Sequence, residues 1–284
     1  MNVSHIDAAP LEQRVQAHYT VNDLWQVLTE ALGRAGHDPE RLTAEDLAPV
    51  DEFHIRGREA TSELAALVQP ADGASVLDVG SGLGGTARYL ASEHGCRVTG
   101  VDLTQAYCEV ATELSRRLGL SDTTRFQQAS ALELPFPDDA FDIVWTEHVQ
   151  MNIPDKARFY AEAARVLKPG GRLVFHDVFA GAAGPAFFPV PWSTSAELSF
   201  LAPVDAVRGM LIDLGMMTKV WIDSTARSRA FFETVVERLR SGAVPPVGLH
   251  LLMGASAKEK LENLWRSLTE ERVVTVQAVL ARGS

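Results

Sequence analysis

Hydrophobic positions along this chain change their period several times, and each change marks an element. Leu24, Val27, Leu28 and Leu32 fall at helical spacing inside Val15–Arg34, a helix that ends at Gly36. A second helix is expected from Arg58 to Val68, stopping before Pro70. Strands then take over at Ser75–Val79, Arg97–Asp102, Thr124–Gln128, Phe141–Thr146 and Gly171–Val178. Helical stretches such as Thr86–Ser92 lie between them. Strands alternating with helices in this way predict an α/β fold on a doubly wound parallel sheet. Further on, Val204–Leu214 reads as a helix, Thr218–Ile222 as a strand and Val273–Ala281 as an apolar closing strand.

Two segments exceed that alternation. Residues 1–69 form an N-terminal helical segment, and residues 70–284 hold the sheet with a mostly helical insertion over about 224–271. Gly181–Ser199, broken by Gly and Pro and carrying Phe187, Phe188 and Trp192, reads as a loop. Ligands of α/β folds sit beyond the carboxyl ends of the parallel strands. The extra segments are therefore expected to fold over that edge as a lid. Its aromatic lining suits a small, partly apolar substrate.

The turn after the first strand carries the strongest chemical signal. Val76-Leu77-Asp78-Val79-Gly80-Ser81-Gly82-Leu83-Gly84-Gly85 is a buried strand, a glycine-rich turn and a helix start. That order lets backbone N–H groups approach a nucleotide-type ligand. Asp102 ends the next strand about 20 residues on, where a ribose-binding carboxylate is expected. Asp78, just before the glycines, would repel a pyrophosphate but attract the cationic head of an amino acid. No Gly-Lys-Ser/Thr follows, which argues against a P-loop. These features point away from NAD and towards S-adenosylmethionine, which carries an ammonium and a sulfonium.

On these residues the chain resembles the class I S-adenosylmethionine-dependent methyltransferases. The match is to the small-molecule branch, with quinone-biosynthesis and glycine/sarcosine-type enzymes (methyltransferase type 11). Four segments carry it in order: Val76–Gly85, Val98–Asp102, Ala131–Pro137 with Phe141–Trp145, and Arg165–Gly171. The resemblance implies a Rossmann-like seven-stranded sheet whose last strand is antiparallel, a place that Val273–Ala281 fits. It also implies that Asp78, Gly80 and Gly82 line the methionine end of the cofactor. Asp102 would accept from the ribose hydroxyls, Leu103 would pack on the adenine, and Ala131 and Leu132 would meet its edge. Many relatives place an acid just before the position of Ala131. This chain has Ser130, which can accept the adenine amine but adds no charge.

Bulk properties narrow the acceptor. The net charge of −11 leaves no broad basic face, which a nucleic-acid substrate would require. The short clusters Arg56/Arg58, Arg116/Arg117 and Arg227/Arg229 do not supply one. No apolar run reaches transmembrane length, and Met1–Asp7 lacks the pattern of a signal peptide. Cys96 and Cys108 read as buried thiols of a reducing cytoplasm. No Cys/His spacing matches a zinc site, so no metal is expected. The N-terminal helix could pack on its own chain or on a partner, which leaves a homodimer open.

Methyl transfer is an in-line displacement at carbon, so positioning and exclusion of water can supply much of the rate. A base is needed only where the nucleophile must lose a proton. His148, after the fourth strand at its carboxyl end, is the best candidate, against a histidine bonded to nearby backbone. Glu147 either orients it or is a solvated turn acid, and Asn152 is either a substrate amide contact or a turn former. His176 and Asp177 end the fifth strand on opposite faces, so at most one enters the pocket. His54 stands beside Arg56 and Arg58 in a polar segment that could clasp cofactor or substrate. Phe187, Trp192 and His250 are further acceptor candidates, each with packing as the alternative. The resulting expectation is methyl transfer from S-adenosylmethionine to a small molecule, on nitrogen or oxygen before carbon or sulfur. The alternative is a protein of the same fold that binds the cofactor without transferring its methyl, a cyclase-like enzyme or a regulator.

Overall fold

The computed structural model describes residues 10–242 and 245–283. Met1–Asp7, on which the signal-peptide expectation rests, lie outside the described residues. Helices α1 (Leu11–Tyr19), α2 (Leu24–Arg34), α3 (Ala44–Asp51) and α4 (Arg58–Val68) precede the sheet. There follow β1 (Ser75–Val79), α5 (Gly85–His94), β2 (Arg97–Asp102), α6 (Gln105–Arg117), β3 (Thr124–Gln128) and β4 (Phe141–Glu147). The chain continues through α7 (Lys156–Val166), β5 (Leu167–Ala180), α8 (Val204–Asp213) and β6 (Met216–Asp223). Last come α9 (Thr225–Arg240), α10 (His250–Met253), α11 (Ala257–Thr269) and β7 (Val273–Arg282).

The strands form one seven-stranded sheet in the order β3-β2-β1-β4-β5-β7-β6. The pairs from β3 to β5 are parallel, and β7 runs antiparallel between β5 and β6. Side chains alternate across the sheet. Leu77, Val79, Val144 and Phe175 pack towards α7 and α8, through Phe159, Tyr160, Val207 and Leu211. Val76, Ile143, Trp145 and Val174 pack towards α4 and α5, through Leu64, Val68, Ala87 and Leu90. On this second face the polar residues Asp78, Glu147 and His176 continue the same alternation beyond the apolar layer. The central strands β1, β4 and β5 are covered on both sides, which is why they read as apolar runs.

The helix expected over Val15–Arg34 is in fact two. Thr20 Oγ1 donates to the Gln16 carbonyl at 2.8 Å, ending α1, and Asp23 turns the chain at φ +52° before α2. The helix α2 packs on its own chain, with Leu28 and Leu32 buried near Leu47 of α3 and Leu114 of α6. Strand β5 starts earlier than its apolar run, because Pro169-Gly170-Gly171 is absorbed into it beside an irregularity in the β4 pairing. Gly181–Ser199 is a loop with a single short turn of 3₁₀ helix at Ala196–Leu198. The expected insertion is α9, α10 and α11, and its apolar faces meet Trp192, Ile55 and Met151 over the sheet edge.

Candidate functional site

The first turn of the site is built by glycine and two acids. Gly80 donates its N–H to the Val101 carbonyl at 2.8 Å and holds φ +76°. A Cβ there would run into Val149, so no other residue lets the turn approach the β4 loop so closely. Gly82, at φ +52°, donates to Asp102 Oδ2 at 2.9 Å, and Thr104 donates to Asp102 Oδ1 at 2.8 Å. Asp102 thus braces the turn while its carboxylate faces the cleft. Asp78 is different. Its side chain is buried and its Oδ2 has no partner. Burial, then the charge of Glu147, hold its carboxyl well above the usual carboxylate range, with His54 pulling the other way. A buried carboxylate oxygen without a partner is a place for a cation.

These residues line a cleft of about 310 Å³. Leu103, Ser130, Ala131 and Leu132 form its far end. Ser130 accepts from the Leu132 N–H at 3.1 Å and donates to Glu12 of α1. Leu11, Glu12 and Val15 close the cleft from above. Sequence reasoning missed them, because Glu12 and Ser130 are 118 positions apart and no motif joins them.

The floor of the cleft is a buried polar network. Glu147 Oε2 accepts from Thr61 Oγ1 at 3.0 Å, Thr86 Oγ1 at 2.9 Å and Trp145 Nε1 at 2.9 Å. His54 Nε2 stands 3.5 Å from both Glu52 Oε2 and Glu147 Oε2. Burial opposes a charge on His54, but Glu147 and Glu52 outweigh it and raise the imidazole to about 9. His148 caps β4 with the left-handed value φ +55°, a conformation that costs free energy and is retained where surroundings impose it. Its N–H donates to the His176 carbonyl at 2.9 Å, and the next two N–H groups donate to Asp177 Oδ2 at 3.2 and 3.1 Å. Burial and the neighbouring His54 hold the His148 imidazole well below its ordinary value. It is therefore neutral.

A second cavity of about 410 Å³ opens on the other side of His54 and His148. Ile55, Met151, Phe231, Phe232, Val235 and Leu264 give it an apolar wall, joined by Trp192 and His250. Tyr19, Glu52, Phe53, His54 and His148 border both cavities. Of the expected acceptor contacts, His176 and Phe187 border neither cavity, and Asn152 borders the cleft but spends its amide on the protein itself. His176 is wholly buried and borders neither cavity, because its face of β5 is covered by the residues that open α4. The Asn152 amide is held by Tyr19 Oη at 2.7 Å and by the Trp192 and Leu198 carbonyls at 2.9 and 3.0 Å. It staples α1 to the loop. Phe187 lies under the guanidinium groups of Arg266 and Arg272, at 3.7 and 4.2 Å, and borders neither cavity. Arg56 pairs through Nη2 with Glu59 and Glu63 while its Nη1 has no partner, Arg58 pairs with Glu52, and both arginines border the second cavity.

Residues 77–175 match the family model described as a methyltransferase domain. Methyltransferase GfsG of Streptomyces halstedii is 37% identical over 133 residues, 47% of this chain and 48% of that protein. The sarcosine/dimethylglycine N-methyltransferase of Halorhodospira halochloris is 30% identical over 184 residues, 65% of each chain. The alignments span less than two thirds of the length of these curated relatives. The structure of Haemonchus contortus phosphoethanolamine N-methyltransferase 2 superposes with a TM-score of 0.75 at 18% identity. It covers 98% of this chain and 61% of that one. The sheet order, the glycine turn between two acids and these matches agree: residues 77–175 of the chain form a methyltransferase domain.

Proposed function

We propose that this protein transfers a methyl group from S-adenosylmethionine to a hydroxyl or amine of a small, largely apolar molecule. One observation carries the reading: a cleft that holds Asp78 and Asp102 and a second cavity with an aliphatic and aromatic wall meet at His54 and His148. The residues present fit the cofactor. Asp78 offers a buried, unpartnered carboxylate oxygen to an ammonium group, and at Gly82 open space lies where a side chain would stand. Asp102 faces the ribose position, and Leu103 and Ser130–Leu132 the adenine position. When bound, the cofactor supplies an electrophilic methyl on a good leaving group.

The chain's own residues do the remaining work. The helix α1 and the lid of α9 and α11 exclude water from the two cavities, which strengthens the charges inside. His148 stands at the junction with its Nε2 unpartnered, where it can accept a hydrogen bond from an acceptor hydroxyl and orient it towards the methyl. The apolar wall favours an acceptor with a hydrocarbon or aromatic body and one reactive polar group. A cytoplasmic location and the lack of a nucleic-acid partner fit the same reading, since a chain of net charge −11 is repelled by phosphate.

Calorimetry with S-adenosylmethionine and S-adenosylhomocysteine tests the cofactor site, followed by labelled-methyl transfer to a panel of phenols, alcohols and amines. Micromolar binding is expected, at least about tenfold weaker in Asp102→Ala because charge-assisted hydrogen bonds are lost. Absence of binding to the native chain would overturn the proposal. Binding with no transfer to any acceptor would favour the non-methylating alternative.

A further inference from the structure

Beneath the junction of the two cavities lies a group of side chains that the methyl-transfer reading does not use. Glu147 and His176 are register partners on the parallel strands β4 and β5 and face the same side of the sheet. His54, from the segment before α4, covers them. Each of the three offers a ligand atom within 4.8 Å of the other two, and all three residues are buried. Their hydrogen bonding is one-sided. Glu147 Oε2 is held by three donors, yet Oε1 has no partner. His54 Nδ1 has none, and neither ring nitrogen of His176 has one.

An ion pair explains only part of this. An imidazolium at His54 would answer Glu52 and Glu147, but it leaves His176 untouched. A neutral imidazole always presents one N–H and one lone pair. Burying both without partners is costly, and His176 borders neither cavity. A cation would take up one of the two unpartnered nitrogens of His176 and draw lone pairs from His54 and Glu147.

We propose that His54, Glu147 and His176 form a binding site for a divalent first-row transition-metal ion. Two imidazoles and one carboxylate suit Zn²⁺, Fe²⁺ or Co²⁺, whereas Mg²⁺ and Ca²⁺ favour all-oxygen sets. Thr61, Thr86 and Trp145 fix one carboxylate oxygen and leave the other free, as outer-shell partners of metal ligands do. His54 and Glu147 also border the cleft, while His176 approaches from the closed side. The open coordination position therefore points to where donor and acceptor meet, and an ion there would polarise an acceptor oxygen. The ligands come from three separate elements, which is why no spacing motif announces them.

The test uses the tag-free full chain, stripped with a chelator and dialysed, titrated with Zn²⁺ by calorimetry and with Co²⁺ by visible absorption. One ion per chain is expected, with d–d bands for Co²⁺ and a higher melting temperature with Zn²⁺. His176→Ala should weaken Zn²⁺ binding at least about tenfold and abolish the cobalt bands. Its metal-free melting curve serves as the folding control and is independent of any cofactor. Should His176→Ala fail to fold, Glu147→Gln carries the same expectation. No stoichiometric uptake by the native chain would overturn the proposal, as would uptake that the substitutions leave unchanged. Either result is separable from failure of the methyl-transfer reading, which is read by S-adenosylhomocysteine binding.

Discussion

Two aspartates of the same cleft do opposite things for the fold. Asp102 satisfies the N–H groups of Gly82 and Thr104, so it stabilises the turn before any ligand arrives. Asp78 is buried with one oxygen unpartnered, and burial and Glu147 oppose its ionisation. Asp78→Asn removes that ionisable group at nearly constant shape. The variant is expected to melt at or above the native temperature, yet to lose about 2–5 kcal/mol of cofactor binding, the loss when one partner of a buried charge pair is neutralised. Asp102→Ala is expected to lower both quantities. Thermal melts paired with calorimetry separate the two residues. If Asp78→Asn destabilised the unliganded chain, the carboxylate would be structural.

At the scale of elements, the helix α1 is the least anchored part of the cleft and the part the sequence showed least. It is held by Tyr19 on Asn152, His18 on the Pro191 carbonyl, Arg14 on Glu197 and Glu12 on Ser130. The first two of these are partly buried and the other two exposed. Asn152→Ala leaves Tyr19 Oη and two carbonyls without their partner, and each such group costs about 1–3 kcal/mol when buried. The variant should lose about 2–4 kcal/mol of stability by denaturant titration, with faster release of S-adenosylhomocysteine. Unchanged release would mean that α1 does not gate the cleft. The strands β1, β2 and β3 were legible to the residue: β1 is covered on both faces and reads as an apolar run, whereas β2 and the half-exposed edge strand β3 were given by their place in the alternation of strands and helices. Asp78, Gly80 and Asp102 were legible because the turn and the acid are local. The roles of His176 and Asn152 were not. Which face of β5 meets α4, and which loop reaches Asn152, are set by contacts between residues far apart in sequence. Those contacts leave no local period to read. The break between α1 and α2 was hidden for another reason: helical spacing continued across a turn made by Asp23.

For the whole molecule, the sheet edge serves two compartments closed by different covers. Leu11, Glu12 and Val15 of α1 border the cleft alone, whereas Phe231, Phe232 and Val235 of α9 border the apolar cavity alone. Tyr19 at the end of α1, residues 52–54 and His148 border both. Local opening is governed by the contacts each cover makes, so a ligand protects the cover it touches. S-adenosylhomocysteine alone is therefore expected to slow hydrogen exchange in Leu11–Tyr19, in residues 52–54 and in the Gly80–Gly82 turn. Exchange in α9 and α11 should stay unchanged until an acceptor or apolar analogue is added. A cofactor that protected α9 and α11 as strongly as α1 would show the covers moving as one body. Separate responses mean that the cleft can fill first, and that the acceptor then closes the lid over a methyl donor already in place.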